Sequence, residues 1–280
     1  MPLRLPAGKR LAVGLGADFD AHCLWMGLFN QTSPSYLSRG EFGAEVGVPR
    51  LLELFRRYGV RATFCTPGHS LVTFPKQIEK ILNDGHEIAA HGCFHEYIPG
   101  LDAARERHLM EVQLQQFDQV VGGQPRGYRS PAWDHSPITL KLLEEFGFDW
   151  DSSLMASDFT PYRPRPVSIA WESASEFGEP SRVLEIPVSW YLDDAPPTLY
   201  IAGVQAGLGD HEVLYRRWRE TFDYAREKAE NGVYALTVHP QCIGAAHHMV
   251  MFEKIIGYMS SFDDVIFSTL SEVCDYWEAA

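Results

Sequence analysis

Short apolar runs rich in β-branched residues alternate along this chain with longer segments whose apolar residues recur at helical spacing. The short runs are typical of buried strands and the longer segments of amphipathic helices. The predicted strands lie at residues 10–18, 60–67, 86–91, 125–131, 148–153, 182–190, 233–240 and 264–270. The predicted helices lie at residues 44–59, 74–85, 102–122, 136–147, 211–232, 247–262 and 271–279. Because strand and helix alternate roughly seven times, the pattern favours a parallel sheet, either closed or open.

Residues at the ends of the amphipathic segments support several of these boundaries. Asp102 is a predicted N-cap, and Ser136 is another, followed by Pro137 at the first helical position. Glycine follows the last helical residue of three segments, where a left-handed C-cap conformation is common. These glycines are Gly59, Gly85 and Gly147.

The segment from Met155 to Pro180 breaks the alternation, because it is rich in Pro, Ser and Glu. We predict a long surface loop there, and long loops often border a binding site. The loop also holds aromatic residues and is expected to roof the site. Elsewhere the chain shows no linker, low-complexity tract or repeat of fixed period, so residues 1–280 are predicted to form one domain.

Charge and cysteine content narrow the classes of protein that fit this chain. The formal net charge of −13 and the lack of a basic patch argue against a nucleic-acid partner and against an anionic membrane surface. The five cysteines are scattered and form no C-x-x-C pair, as in a reduced cytosolic protein. The N-terminus lacks the long apolar region of a secretory signal, and the longest uncharged run contains three histidines and a proline. We therefore predict a cytoplasmic location.

Polar side chains that can bind a metal, move a proton or hold an anion follow almost every predicted strand. In parallel α/β architectures the ligand site gathers at the carboxyl ends of the strands. The residues in these positions include Asp18, Asp20, His91, His95, Arg129, Trp133, Trp190 and His239.

His91 and His95 are candidate metal ligands, because two histidines four residues apart on a helical turn can reach one ion. Asp20 is the candidate third ligand, since the crowded carboxylates of Asp18 and Asp20 repel each other unless a positive charge lies nearby. Two histidines and one carboxylate suit zinc with an open position, and they also suit non-haem iron or cobalt. The alternatives are polar histidines near the surface and a solvated acidic turn.

Asp18 is then free to act as a base on water bound to the metal. His239 is the candidate general acid for a leaving nitrogen, with a core histidine bonded to backbone as the alternative. Arg129 is expected to orient Asp18 or to hold a substrate anion, unless it forms an ordinary ion pair. Three tryptophans near strand ends are candidate apolar walls for a substrate, with core packing as the alternative: Trp25, Trp133 and Trp190.

Four motifs in this order and spacing, ADFDA, HGCFH, YRSPAW and LTVHP, resemble those of the polysaccharide deacetylase family, carbohydrate esterase family 4. The resemblance extends from about residue 11 to residue 270 and implies an α/β fold, a distorted (β/α) barrel that forms one catalytic domain. It implies that Asp18 is the catalytic base, that His239 is the catalytic acid, and that the metal ligands are Asp20, His91 and His95.

The remaining motif positions are assigned by the same resemblance. Arg129 matches the arginine of an R-x-P-x-aromatic motif, with Trp133 in the aromatic place. The family's late Asp–Trp motif, which supplies the partner of His239, is matched either by Asp151 or by the WYLDD stretch.

A longer stretch, SRGEFGAEVGVPRLLELFRRYGVRATFCTPGHS, together with SLMASDFTPY and IPVSWYLDD, resembles one branch of the family. This branch holds proteins named peptidoglycan deacetylases, cyclic imide hydrolases and allantoinase-like enzymes, and it implies a homotetramer. The expected activity is hydrolysis of a non-peptide carbon–nitrogen bond in an N-acetylated sugar or a small cyclic imide or ureide. The alternatives are a non-haem iron oxygenase and an inactive binding module.

Overall fold

Eight strands form one curled, parallel sheet in the computed structural model, which describes residues 2–278. The strands of this sheet and of a separate two-stranded hairpin are β1 Leu11–Asp18, β2 Thr63–Thr66, β3 Glu87–Ala90, β4 Gly127–Tyr128, β5 Trp150–Asp151, β6 Val167–Ser168, β7 Glu176–Phe177, β8 Leu184–Glu185, β9 Gly232–Val238 and β10 Val265–Ser268. The α-helices are α1 Pro34–Phe42, α2 Val48–Tyr58, α3 Gly68–Thr73, α4 Pro75–Asn83, α5 Ala103–Val121, α6 Thr139–Phe146, α7 Ala195–Thr198, α8 His211–Lys228, α9 Pro240–Ile243, α10 Ala246–Ser260 and α11 Leu270–Glu278. The predicted distorted (β/α) barrel is confirmed.

Strand β1 lies at the centre of the barrel wall, and all eight of its residues are buried. Along one side it pairs with β9 from Leu11 to Ala17. Its other side pairs first with β10, at Leu11–Gly14, and then with β2, at Gly16–Asp18. Because neighbours cover β1 on both sides and helices pack over the sheet, its sequence LAVGLGAD is almost continuously small and apolar rather than alternating.

The barrel has a seam between β8 and β9, since these two strands do not pair within residues 2–278. A parallel bridge between Asp193 and Thr237 connects the chain that follows β8 to strand β9. The segment that carries Asp193 therefore lies beside the carboxyl end of β9.

Several predicted helix ends are confirmed. The Asp102 carboxylate accepts a hydrogen bond of 2.8 Å from the backbone N–H of Arg105, as an N-cap should. Gly59 and Gly147 adopt left-handed conformations after α2 and α6, with φ angles of 63° and 79°. These positions fit glycine because it has no Cβ to clash there.

The predicted start of the helix at Ser136 is wrong, because α6 begins at Thr139. The Ser136 hydroxyl accepts a hydrogen bond from the backbone N–H of Ile138 and donates one to Glu106 on α5. These two bonds hold the residues before Thr139 in a separate turn. The hydrophobic pattern does not predict α1 or the π-helical turn Leu24–Leu28 before it, and the predicted helix at residues 44–59 begins with a second π-helical turn, Gly43–Gly47.

The predicted loop from Met155 to Pro180 lies at the surface and contains the antiparallel hairpin of β6 and β7. Trp171, between these strands, is 94% exposed. None of the residues in this segment lines the cavity at the carboxyl ends of the barrel strands. The expectation that the segment roofs the site is therefore wrong.

The last predicted helix, 271–279, corresponds to α11, and its final residue, Ala279, lies outside the described residues. Among residues 2–278 we find no helix that combines the length and the apolar character required to cross a membrane.

Candidate active site

Four predicted site residues stand at the carboxyl ends of parallel strands. Asp18 is the last residue of β1, and His91, Arg129 and His239 directly follow β3, β4 and β9. All four side chains are buried. Because these strands run in the same direction, their ends lie at one edge of the barrel and bring the side chains together.

Asp20, His91 and His95 converge on one point. Asp20 Oδ1 lies 3.4 Å from His91 Nε2 and 3.9 Å from His95 Nε2. Separations of this size suit donor atoms that surround a single ion at bond lengths of about 2.0–2.2 Å. The structure thus brings together the three residues that the sequence singled out as ligands.

The two histidines meet on a loop rather than on the helical turn that their spacing suggested. His95 has a left-handed backbone with a φ of 61°, and Gly92 has a φ of 73°. The Glu96 carboxylate closes the loop by accepting hydrogen bonds from the backbone N–H groups of Cys93, at 3.0 Å, and Phe94, at 2.8 Å. A left-handed residue other than glycine is uncommon, so contacts around the loop must hold His95 in this conformation.

Hydrogen bonding and burial leave the facing atoms of these side chains able to bind a cation. His91 Nδ1 donates to the backbone carbonyl of Arg129 at 2.7 Å, so its Nε2 faces Asp20. Burial lowers the pKa of His95 to about 4, so its ring is neutral at pH 7. Asp18 Oδ2 and Asp20 Oδ1 are buried without a hydrogen-bond partner among the described residues. Unpaired buried oxygens beside imidazole nitrogens fit a metal ion, because a cation would satisfy them.

Arg129, which directly follows β4, holds the carboxylate of Asp18 at the end of β1. Its Nη1 donates to Asp18 Oδ1 at 2.6 Å, while Nε and Nη2 donate to the carbonyl and the hydroxyl of Ser152, each at 3.0 Å. Burial alone would lower the pKa of Arg129, but the Asp18 carboxylate raises it above its ordinary value. The guanidinium is therefore charged, buried and held at three points, unlike a surface ion pair.

Gly16, two residues before Asp18 on β1, leaves the space that this guanidinium fills. A Cβ at Gly16 would lie 2.4 Å from Arg129 Nη1. We therefore expect Gly16→Ala to lower the free energy of unfolding by about 1–3 kcal/mol, as measured by urea denaturation. Gly123→Ala is the matched control, since nothing lies within 4 Å of the added methyl group. Equal stability of the two variants would contradict the tight fit around Arg129.

The partner of His239 comes from the WYLDD stretch. His239 Nδ1 lies 2.8 Å from Asp194 Oδ1 and 3.3 Å from Asp193 Oδ1. The backbone N–H of His239 also donates to Asp194, at 2.9 Å. Asp151, the other residue that the family motif allowed, lies 3.1 Å from His135 Nε2 instead. Of the two possibilities, the geometry favours Asp194.

The two acids behind His239 favour its protonated form. Burial alone would lower the pKa of His239, but the carboxylates of Asp193 and Asp194 raise it well above its ordinary value. His239 Nε2 lies 3.8 Å from Asp18 Oδ2, so the candidate acid stands beside the candidate base rather than across the cavity from it.

A cavity of about 610 Å³, including its open mouth, lies above these polar groups. Most of its wall is apolar, and the large side chains on it are Leu24, Leu28, Phe29, Trp133, Trp190 and Leu199. Trp133 and Trp190 stack on each other with ring centroids 4.4 Å apart. Both therefore lie where a substrate in the cavity would touch them.

Trp25 does not line this cavity, so the prediction that it contacts substrate is wrong. Its side chain is fully buried, with the ring of Tyr36 at 5.3 Å and the guanidinium of Arg39 stacked over it at 4.1 Å. Leu24 and Leu28 of the same π-helical turn face the cavity instead. A π-helical turn is wider than an α-helical turn, so it changes which residues of the segment face the cavity. The spacing of residues in the sequence alone does not reveal such a turn.

The sequence and fold of this chain resemble those of several known proteins. The family model described as polysaccharide deacetylase matches residues 41–150. A peptidoglycan deacetylase of Helicobacter pylori is 35% identical over 283 residues, which cover 95% of this chain and 96% of the relative. The crystal structure of a probable polysaccharide deacetylase from Pseudomonas aeruginosa PAO1 aligns with a TM-score of 0.82 at 25% identity, covering 100% of this chain and 95% of that one. Puue allantoinase aligns with a TM-score of 0.83 at 20% identity over 100% and 94% of the two chains, and it shares the fold.

Proposed function

This chain belongs to the polysaccharide deacetylase family, and from that premise we propose that it is a metal-dependent hydrolase that opens carbon–nitrogen bonds in small cyclic imides or ureides. One observation carries the proposal. A buried cluster of two imidazoles and a carboxylate lies beside an acid–base pair at the base of a largely apolar cavity.

Asp20, His91 and His95 are the residues proposed to hold the metal, for which zinc is our first choice. A divalent ion held by these residues would supply a Lewis-acid centre able to polarise a carbonyl oxygen and to lower the pKa of water to about 7. Imidazole and carboxylate ligands suit iron and cobalt as well, and the metal content of the purified protein distinguishes the three ions.

Asp18 and Arg129 are proposed to activate the attacking water. Asp18 Oδ2 lies 3.9 Å from His91 Nε2 and has no hydrogen-bond partner within residues 2–278, so it is available to accept a proton from water near the ligand cluster. Arg129 holds the other oxygen, Oδ1, and fixes the direction of the carboxylate. The oxygen of the water then forms a bond to the carbonyl carbon of the substrate.

His239 is proposed to complete the reaction as the general acid. The carboxylates of Asp193 and Asp194 raise the pKa of His239 and favour its protonated form, and the residue lines the cavity. When the carbon–nitrogen bond breaks, the leaving nitrogen takes the proton from Nε2. Asp194 holds the ring by its Nδ1 throughout this step and fixes its orientation.

The lining of the cavity supports a small and mostly apolar substrate. Gln205 contributes a side-chain amide to the lining of the cavity. Its amide nitrogen donates to the carbonyls of Ala195 and Pro196, at 2.9 and 3.0 Å, so its carbonyl oxygen remains to accept a hydrogen bond. A cyclic imide offers one N–H to that oxygen. A sugar would bring several hydroxyl groups against apolar walls that cannot bond them.

An N-acetylated sugar is the second candidate substrate, because the relative in H. pylori is named a peptidoglycan deacetylase. The cytoplasmic location and the homotetramer that we expect from the sequence are part of the proposal, and the location fits a small soluble substrate better than a cell-wall polymer.

The proposal is tested by assaying the purified protein on succinimide, hydantoin and chitooligosaccharide, with its metal content measured in parallel. We expect turnover of at least one cyclic compound, its loss after treatment with a chelator, and its return on addition of Zn²⁺. Turnover of chitooligosaccharide alone would overturn the small-substrate proposal. Full activity in protein shown to be free of metal would overturn the metal-dependent mechanism.

A further inference from the structure

The two oxygens of Asp20 have different surroundings. Oδ2 accepts a hydrogen bond of 3.0 Å from the side-chain amide nitrogen of Gln241. Oδ1 is buried without a hydrogen-bond partner among the described residues and faces His91 and His95. The carboxylate as a whole is fully buried, so its orientation depends on protein contacts rather than on solvent.

We propose that Gln241 is a positioning residue for the metal site, which binds one oxygen of Asp20 so that the other alone is presented to the ion. This inference rests on the metal site proposed above. Residues that hydrogen-bond a metal ligand orient it and tune its affinity, although they do not touch the ion themselves.

The backbone of Gln241 is held close to the site by tight packing. Gln241 lies on the short helix α9, directly after His239 and Pro240, and this helix packs against the π-helical turn Gly43–Gly47. A Cβ at Gly43 would lie 3.1 Å from Gln241 Cβ, and one at Gly47 would lie 2.2 Å from the carbonyl oxygen of Pro240. Glycine at both positions therefore allows α9 to approach closely enough for the amide to reach Asp20.

The hydrogen-bond donors to Asp18 and Asp20 differ in charge, and this difference separates the roles of the two carboxylates. Arg129 bonds Asp18 with a full positive charge, whereas Gln241 bonds Asp20 with a neutral amide. A neutral donor fixes a carboxylate without compensating its negative charge, so Asp20 keeps that charge for a cation. The carbonyl oxygen of Gln241 is itself buried without a partner among the described residues. Burying an unpaired oxygen lowers stability, so it calls for an explanation, and a role of the Gln241 amide in the site is one.

The test is a titration of metal-free protein with Zn²⁺ in competition with a chromophoric chelator. We expect Gln241→Met, which keeps the side-chain length but lacks the donor, to weaken Zn²⁺ binding about tenfold or more relative to the wild type. Gln113→Met is the matched control, because Gln113 is also a buried glutamine whose carbonyl oxygen has no partner in the described part of the chain, but it lies on α5. It should bind Zn²⁺ as the wild type does.

Equal affinity in folded Gln241→Met and in the wild type would overturn the inference and leave the proposed function standing. A wild-type protein that binds no Zn²⁺ would instead overturn the proposed metal site, and the inference with it. If Gln241→Met does not fold, Gln241→Asn serves in its place, since its shorter amide falls short of Asp20. Weakened binding by that variant supports the inference, and unchanged binding overturns it.

Discussion

Replacing Asp18 by asparagine is expected to lower turnover about 10²–10⁴-fold, the usual contribution of a general base, while Zn²⁺ content stays at the wild-type level. Asparagine keeps an oxygen that can accept the hydrogen bond from Arg129, so the local structure should survive. It cannot accept a proton from water at neutral pH, so the chemical step should fail. The measurement is kcat on whichever substrate the panel identifies, together with metal analysis of the purified variant.

The control for this substitution is Asp84→Asn. Asp84 also pairs with an arginine, Arg56, at 2.8 Å, but that pair lies at the surface and away from the cavity. Its loss should leave kcat unchanged. A fall of less than about fivefold in Asp18→Asn, well below the range for a general base, would mean that another group takes the proton.

Replacing Arg129 by methionine is expected to lower the free energy of unfolding by about 3–5 kcal/mol. The substitution leaves the Asp18 carboxylate buried without its charge partner, and it also removes the hydrogen bonds that Arg129 donates to Ser152. A buried charge without a partner of opposite charge is among the most destabilising single features in a folded protein. Urea denaturation of the metal-free protein measures the loss without any need for a substrate.

Arg56→Met provides the comparison, because it removes the arginine of the surface pair with Asp84. Exposed pairs contribute about 0–1 kcal/mol, so this variant should unfold nearly as the wild type does. If Arg129→Met and Arg56→Met lower the free energy of unfolding by the same small amount, the buried pair of Arg129 and Asp18 does not stabilise the barrel in the way its geometry indicates.

The sequence predicted those site residues that lie at the carboxyl ends of strands. Asp18, His91 and His239 are predicted because each ends or directly follows a short apolar run, and Arg129 because it lies in a short predicted strand. Parallel strands carry such residues to one edge of the barrel. This rule needs no knowledge of distant contacts. It depends on the alternation of strand and helix, which the hydrophobic pattern reveals.

Other parts of the site depend on contacts that no local pattern contains. Asp194 reaches His239 because a bridge between Asp193 and Thr237 ties the chain after β8 to β9. Gln241 reaches Asp20 because two glycines in a distant turn admit α9. Trp25 was placed wrongly for a related reason, since a π-helical turn changed which residues of its segment face the cavity.

The candidate metal ligands and part of the cavity wall come from separate stretches of chain, and the second of these stretches crosses the seam of the barrel. The candidate ligands come from the loops after β1 and β3, whereas Trp190, Leu199 and Gln205 of the cavity wall belong to the stretch that crosses the seam. That stretch joins the sheet through a bridge rather than a ladder, so it can change in length and composition at little cost to the strands. Asp193 and Asp194, which contact His239, lie near the start of this stretch, so they are expected to stay the same among relatives. The residues that follow them, 195–205, can differ without disturbing the catalytic groups, and differences in the molecules that relatives accept are expected there.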